Sequence, residues 1–228
     1  MLCGLLLFAA AGAARAQLSG HVAVLSDYRY RGVSQSDGEP SVQAGLDYQH
    51  ASGIFLGAVA SRVRYEPYLS GVHGQLYAGY ARTLNQFWSW EAGILTNLYP
   101  RPAFGPSYNY TEAFVGVTYE NFNARGYIGD GNLGAGGHPS YVEINASHAL
   151  GARVNVLGHL GYATHRELPF GYSGQGRSFF DFKIGLVIEI YGFNLELSIT
   201  DTTASERDCP AGSGRCGAAG IVSISRSF

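Results

Sequence analysis

Lys183 is the chain's single lysine, and charged side chains make up only 14% of its 228 residues, where about a quarter is usual in a soluble domain. Water-facing strands normally carry many lysines, so this scarcity argues against a large soluble exterior. The net charge is −2 and no basic cluster stands out, which excludes nucleic acid as an expected partner. No segment holds a helical period. After the first sixteen residues no apolar run reaches the ~20 residues of a membrane helix. Helical bundles and helical membrane proteins are thereby excluded. Disorder is excluded as well, because 46% of the residues are hydrophobic and 13% aromatic. Neither a linker nor a shift in composition divides the chain, so one domain is expected.

The beginning, "MLCGLLLFAAAGAARA", is a short apolar stretch ending in the small-x-small pattern Ala14-Arg15-Ala16. It reads as a signal peptide over residues 1–16, with the mature chain at 17–228 outside the cytoplasm. No Lys or Arg follows Met1, so the natural start is expected upstream. Cys3 leaves with this segment. Cys209 and Cys216, in "RDCPAGSGRC", remain, and a pair in an oxidising compartment reads as a disulfide around a small loop. A two-cysteine metal site lacks further ligands, and neither metal nor cofactor is expected.

What the mature chain does have is alternation. Twelve runs of about ten residues alternate apolar and polar side chains between Gly, Pro, Asn, Asp and Ser: 19–31, 41–50, 53–64, 73–82, 87–98, 109–119, 121–129, 140–149, 153–164, 179–190, 192–201 and 219–228. The connections alternate too. "GVSQSDGEP" is long and "HASG" short; "EPYLSGVH" is long and "TLNQ" short; "YPRPAFGPSY" is long and "ENFN" short. "GDGNLGAGGHP", "HRELPFGYSGQGRS" and "DTTASERDCPAGSGRCGA" are long, with "LGAR" and "IYGF" short between them. This asymmetry predicts an all-β fold: a transmembrane, antiparallel, up-and-down barrel of about twelve strands with short turns at one end. A soluble sandwich or lipocalin-like barrel also alternates, but soluble strands are commonly five or six residues long.

One face of these runs is apolar with aromatic residues at its ends, among them Tyr48, Trp88, Trp90 and Phe193, as membrane girdles would be. In "GIFLGAVASRV" both faces are apolar and the sides are not assignable. The opposite face carries charge. In "SDYRYRGVSQSD" a period of two places Tyr28 and Tyr30 toward lipid and Asp27, Arg29 and Arg31 toward the lumen. The same rule turns Asp47, Glu91, Glu112, Arg125, Glu143, Asp181, Lys183 and Glu196 inward. Arg or Lys at mid-bilayer on the lipid face would cost ~2–4 kcal/mol each. This set holds seven acids (Asp27, Asp47, Glu91, Glu112, Glu143, Asp181, Glu196) and four bases (Arg29, Arg31, Arg125, Lys183), so an open lumen would weakly prefer cations. The charges would otherwise pair and brace a closed barrel.

Enzyme chemistry finds no purchase. Asn145, Ser147 and His148 lie close in "INASHA", but His148 falls on the other face of the strand from Ser147, and no G-x-S-x-G elbow occurs. His159 and His165 stand apart. "GDGNLG", from Gly129 to Gly134, matches a dinucleotide pattern by letters, yet Gly136, Gly137 and Pro139 rule out the helix that must follow it. No catalytic residue is assigned.

"LSDYRYRGVSQSDGEPSVQAGLDYQHASGIFLGAVAS", "ELPFGYSGQGRSFFDFKIGL", "SITDT", the two-cysteine loop and "VSISRSF" together resemble the TorF family of porins from the outer membranes of Gram-negative bacteria. The resemblance covers most of the mature chain. It implies an outer-membrane barrel embedded in lipid and a pore for passive diffusion of small solutes or ions. The alternatives are a closed structural or adhesive barrel with partner-binding outer loops, and an outer-membrane lipolytic enzyme. The terminal Phe228 resembles the signal read by the barrel-assembly machinery, although Arg226 stands where an apolar residue is more usual.

Overall fold

The computed structural model describes residues 16–65, 69–101, 109–130, 139–164, 178–205, 209 and 215–228. Residues 1–15, His165 and most of the longer outer connections lie outside this set. Among the described residues the strands are β1 (Gln17–Leu25), β2 (Arg29–Tyr30), β3 (Val33–Ser34), β4 (Ser41–Gln49), β5 (Ile54–Tyr65), β6 (Leu69–Thr83) and β7 (Trp88–Leu98), followed by β8 (Tyr110–Tyr119), β9 (Phe122–Gly129), β10 (Ser140–Ala149), β11 (Val154–Thr164), β12 (Phe179–Ile190), β13 (Phe193–Thr202) and β14 (Ala219–Ser227). Twelve of them close an antiparallel barrel in chain order, with β1 sealed against β14, while β2 and β3 form a separate two-stranded sheet. Among the described residues no helix is long and apolar enough to cross a membrane.

The period-two pattern sets which way each side chain points. On β4, Ser41 and Gln43 are buried inside while Val42 and Leu46 stand outside. On β12, Phe179 and Asp181 face inward while Phe180, Phe182 and Ile184 face outward. Ile144, Ile184, Ile199, Val115 and Val222 are all exposed, a costly surface in water and a favourable one in hydrocarbon. Barrel strands run from eight residues in β9 to fifteen in β6. A ten-residue strand at ~3.3 Å per residue and ~40° tilt rises ~25 Å, the height of the apolar band of such barrels.

The start of β1 at Gln17, the terminal Phe228 and the tight turns, such as Tyr191–Gly192, share one end of the barrel. There Trp88 packs on Tyr119 with ring centres 4.6 Å apart, and Tyr80 lies 5.8 Å from Trp90. Phe228 exchanges backbone hydrogen bonds with Gly20, at 2.8 and 2.9 Å, extending the closing seam. Arg226, outward on β14, lies 5.2 Å over the Phe193 ring at this rim, where a long cation reaches interfacial water. On β5 the ambiguity resolves: Phe55 and Val63 are buried inside, while Leu56 stands outside.

Two expectations need correction. The first strand ends at Leu25 instead of continuing to Arg31, so Tyr28 and Tyr30 do not face lipid; both are buried inside the barrel. Asp27 reverses the chain by accepting hydrogen bonds from Ser34 at 2.5 Å and Ser36 at 3.0 Å. Arg31 (φ 52°) and Gly32 (φ 76°) then form a two-residue turn between β2 and β3, both in the left-handed region that hairpins of this length require. A Cβ on Gly32 would come within 2.4 Å of Thr202 Cγ2, so both the backbone conformation and the space demand glycine. The second correction concerns "EPYLSGVH". β5 and β6 stay paired up to Tyr65 and Leu69, leaving only 66–68 between them. The inward hairpin backs this extension: Arg64 N donates to Gln35 O at 2.9 Å, and Val63 packs with Tyr28 and Tyr30.

Orientation yields the first expectation. Ile184→Arg places a guanidinium on the lipid face next in sequence to the tolerated Lys183, and should destabilise the barrel by ~2–4 kcal/mol in lipid bilayers. Ile184→Leu should be close to neutral. Urea titration of the heat-modifiable band in liposomes reads both.

Candidate functional site: the lumen and its inward hairpin

The interior is polar because alternation sends every second residue there, and low dielectric makes each charge find a partner. Two tiers follow from the height of each residue on its strand. Toward the short-turn end, Arg125 Nε donates to Glu91 Oε1 at 2.9 Å, and Lys183 Nζ donates to Glu196 Oε1 at 3.0 Å. Tyr77 donates to Asp47, which also lies 3.9 Å from His21.

The upper tier belongs to the hairpin. Arg31 donates from Nη1 to Glu112 Oε1 at 2.9 Å and from Nη2 to Oε2 at 2.7 Å, the two-pronged geometry that makes such pairs strong. Glu112 is 0% exposed. The Arg31 guanidinium lies 4.3 Å from the Tyr141 ring centre and 5.0 Å from those of Tyr127 and Tyr30. Tyr127 donates to Glu143 at 3.0 Å, and Tyr141 donates to Asp181 at 3.0 Å. His159 bridges Asn145, at 2.7 Å from Nδ1, and Asp181, at 2.8 Å from Nε2.

The hairpin is clamped from behind. Arg29 Nε donates to Asp27 Oδ2 at 2.7 Å and Nη1 to Gly217 O at 2.7 Å. Ser34 N donates to Arg215 O at 2.9 Å, and Arg215 Nε donates to Asp37 at 2.8 Å. Thr202 Oγ1 donates to Cys216 O at 2.7 Å. Cys209 and Cys216 are joined by a disulfide, S–S 2.10 Å. The last outer loop thus holds the first one inside the barrel.

All eleven charged residues singled out by alternation lie in the interior, eight on barrel strands and Asp27, Arg29 and Arg31 on the hairpin segment. Alternation places Tyr28 and Tyr30 toward lipid and does not single out His73, whereas Tyr141 shares the inward face of Glu143, and Tyr127 that of Arg125. His73 is 0% exposed, with Tyr28 Oη 3.0 Å from Nδ1, Asn97 Oδ1 3.1 Å from Nε2 and Tyr99 stacked on it at 4.2 Å. Its position in period with Gln75 and Tyr77 was the available signal. Asn145 and Ser147 face inward, His148 is exposed outside, and no Ser–His pair forms there. No group of His, Cys, Asp and Glu suited to a metal occurs among the described residues.

A family model described as "Bacterial protein of unknown function (Gcw_chp)" matches residues 9–228. The chain belongs to the Gcw_chp family. No curated protein matches this Gcw_chp sequence. Among solved structures, the KdgM porin is similar over 92% of this chain and 99% of its own, at 8% identity and TM-score 0.55. The NanC porin is similar over 92% and 98%, at 8% identity and TM-score 0.58. At that identity the likeness is one of fold: this Gcw_chp chain is a porin-like twelve-stranded barrel with a hairpin latched inside it.

Removing the latch's anchor should be measurable. Glu112→Ala leaves the Arg31 guanidinium buried without its carboxylate, a change that costs ~3–5 kcal/mol in comparable pairs. The hairpin is expected to leave the lumen. Trypsin should then cut after Arg29 or Arg31 in the folded, heat-modifiable barrel, while the wild-type protein resists at these bonds.

Proposed function

We propose that the protein is an outer-membrane channel for passive diffusion of small solutes or ions, narrowed by its inward hairpin and weakly preferring cations. One observation carries the preference. Each base of the interior set has its own acid: Arg29 with Asp27, Arg31 with Glu112, Arg125 with Glu91, Lys183 with Glu196. Asp47, Glu143 and Asp181 have no Arg or Lys partner among the described residues and rest on Tyr and His side chains. Fixed negative charge along a narrow path attracts cations and repels anions. The porin-like fold and the resemblance to TorF porins support a pore. The KdgM porin has been seen in complex with disordered oligogalacturonate, a polyanion, and an interior with acidic excess is poorly matched to such a solute.

Outer-membrane placement accords with the apolar belt and its aromatic rim. Residues 1–16 would serve as the export signal, and Phe228 as the mark read by the assembly machinery. A second reading has its own observation: Phe55, Leu95, Phe114 and Tyr127 form a buried cluster within the barrel, as a closed structural barrel would have. Lipolytic chemistry draws no support from the opposed faces of Ser147 and His148.

Planar-bilayer recording of the refolded protein in a salt gradient decides between these. Discrete steps with a cation-directed reversal potential are expected. Asp181→Asn with Glu143→Gln should move that potential toward zero. An anion-directed potential would falsify the preference, and a silent, folded barrel would select the closed reading.

A further inference from the structure

Arg31 is held in the lumen the way a protein holds a ligand. The walls around its guanidinium come from β8, β9 and β10, three neighbouring strands of the barrel, whereas the guanidinium itself comes from the hairpin. The wall contributes the fully buried Glu112 carboxylate and the faces of Tyr127 and Tyr141. Behind Tyr127 stands a second carboxylate, Glu143, 2% exposed and fixed by the phenol. A carboxylate that accepts two parallel N–H bonds, flanked by aromatic faces, has the elements that recognise a planar, delocalised cation.

Two features mark Arg31 as an occupant of this wall pocket and not a component of it. It reaches the pocket from a left-handed backbone position, φ 52°, which non-glycine residues seldom adopt. Its Nε is buried without a hydrogen-bond partner, so the tether leaves one of the three guanidinium nitrogens unpartnered. A free cation of the same shape is bound by neither constraint.

We propose that Glu112, Tyr127 and Tyr141 form a binding site for guanidinium-bearing solutes, which Arg31 fills as a tethered stand-in. Entry of such a solute displaces the hairpin and widens the path, a consequence that rests on the channel reading; the binding itself does not. A tethered group competes at an effective concentration of roughly millimolar, so the site is best seen with Arg31 removed.

The test uses R31A of the full mature barrel in detergent, with its fold checked by heat-modifiability, and methylguanidinium chloride as the probe in titration calorimetry. Saturable binding to R31A is expected, weakened at least tenfold in R31A/E112Q and in the wild-type protein. A folded R31A that binds no methylguanidinium overturns the site. Should R31A fail to refold alone, refolding is repeated with millimolar methylguanidinium against sodium chloride: recovery of the barrel supports the site, and no recovery overturns it. The same samples in planar bilayers separate the two readings. Conductance steps without binding sink the site alone, and binding by a silent barrel sinks the channel alone.

Discussion

Inside a lipid bilayer no water is available to a backbone N–H or C=O, and each one left unpaired costs several kcal/mol. A sheet with edges cannot meet that condition. The pairing of β1 with β14, continued by the Phe228–Gly20 hydrogen bonds, is therefore what permits every other strand to sit in a membrane. Closure also fixes the sides. With a period of two, a strand that shows Ile184 to lipid must show Lys183 to the interior, and Glu196 on β13 is placed to receive it.

That geometry concentrates eleven charged side chains of a lightly charged chain into one narrow space. Desolvation there is severe enough that single charges are costly and matched pairs tolerable. The hairpin between β1 and β4 belongs to this solution. Without Arg31, Glu112 would be a fully buried carboxylate with no cation, and without Glu112 the guanidinium would have only ring faces. The loop and the wall satisfy each other, while the disulfide-bearing last loop, anchored to β13 through Thr202, keeps the hairpin in place through Gly217 and Arg215.

The barrel strands were legible because alternation is a local property, and lipid outside with polar side chains inside makes it strict. β10 and β12 fall on the residues that periodicity picks out. The hairpin was not legible, for two physical reasons. "SDYRYR" continues the alternation past Leu25, so nothing local marks the strand's end. The turn is Arg31-Gly32 and not the Asn-Gly or Asp-Gly that announces a two-residue hairpin. The pairing of Arg31 with Glu112 spans 81 residues, and no periodicity within one strand reports which strand will stand opposite.

The tyrosines follow from the same constraint. A phenol offers an apolar ring to fill space and one hydroxyl to satisfy a carboxylate. Tyr127 with Glu143, Tyr141 with Asp181 and Tyr77 with Asp47 each use both properties. Where a base meets an acid, the charges cancel. Where a tyrosine meets an acid, the hydrogen bond is made and the negative charge remains. Abundant tyrosine and scarce lysine are thus two sides of one composition: it lets a barrel fill its interior and satisfy its carboxylates without supplying a base for each.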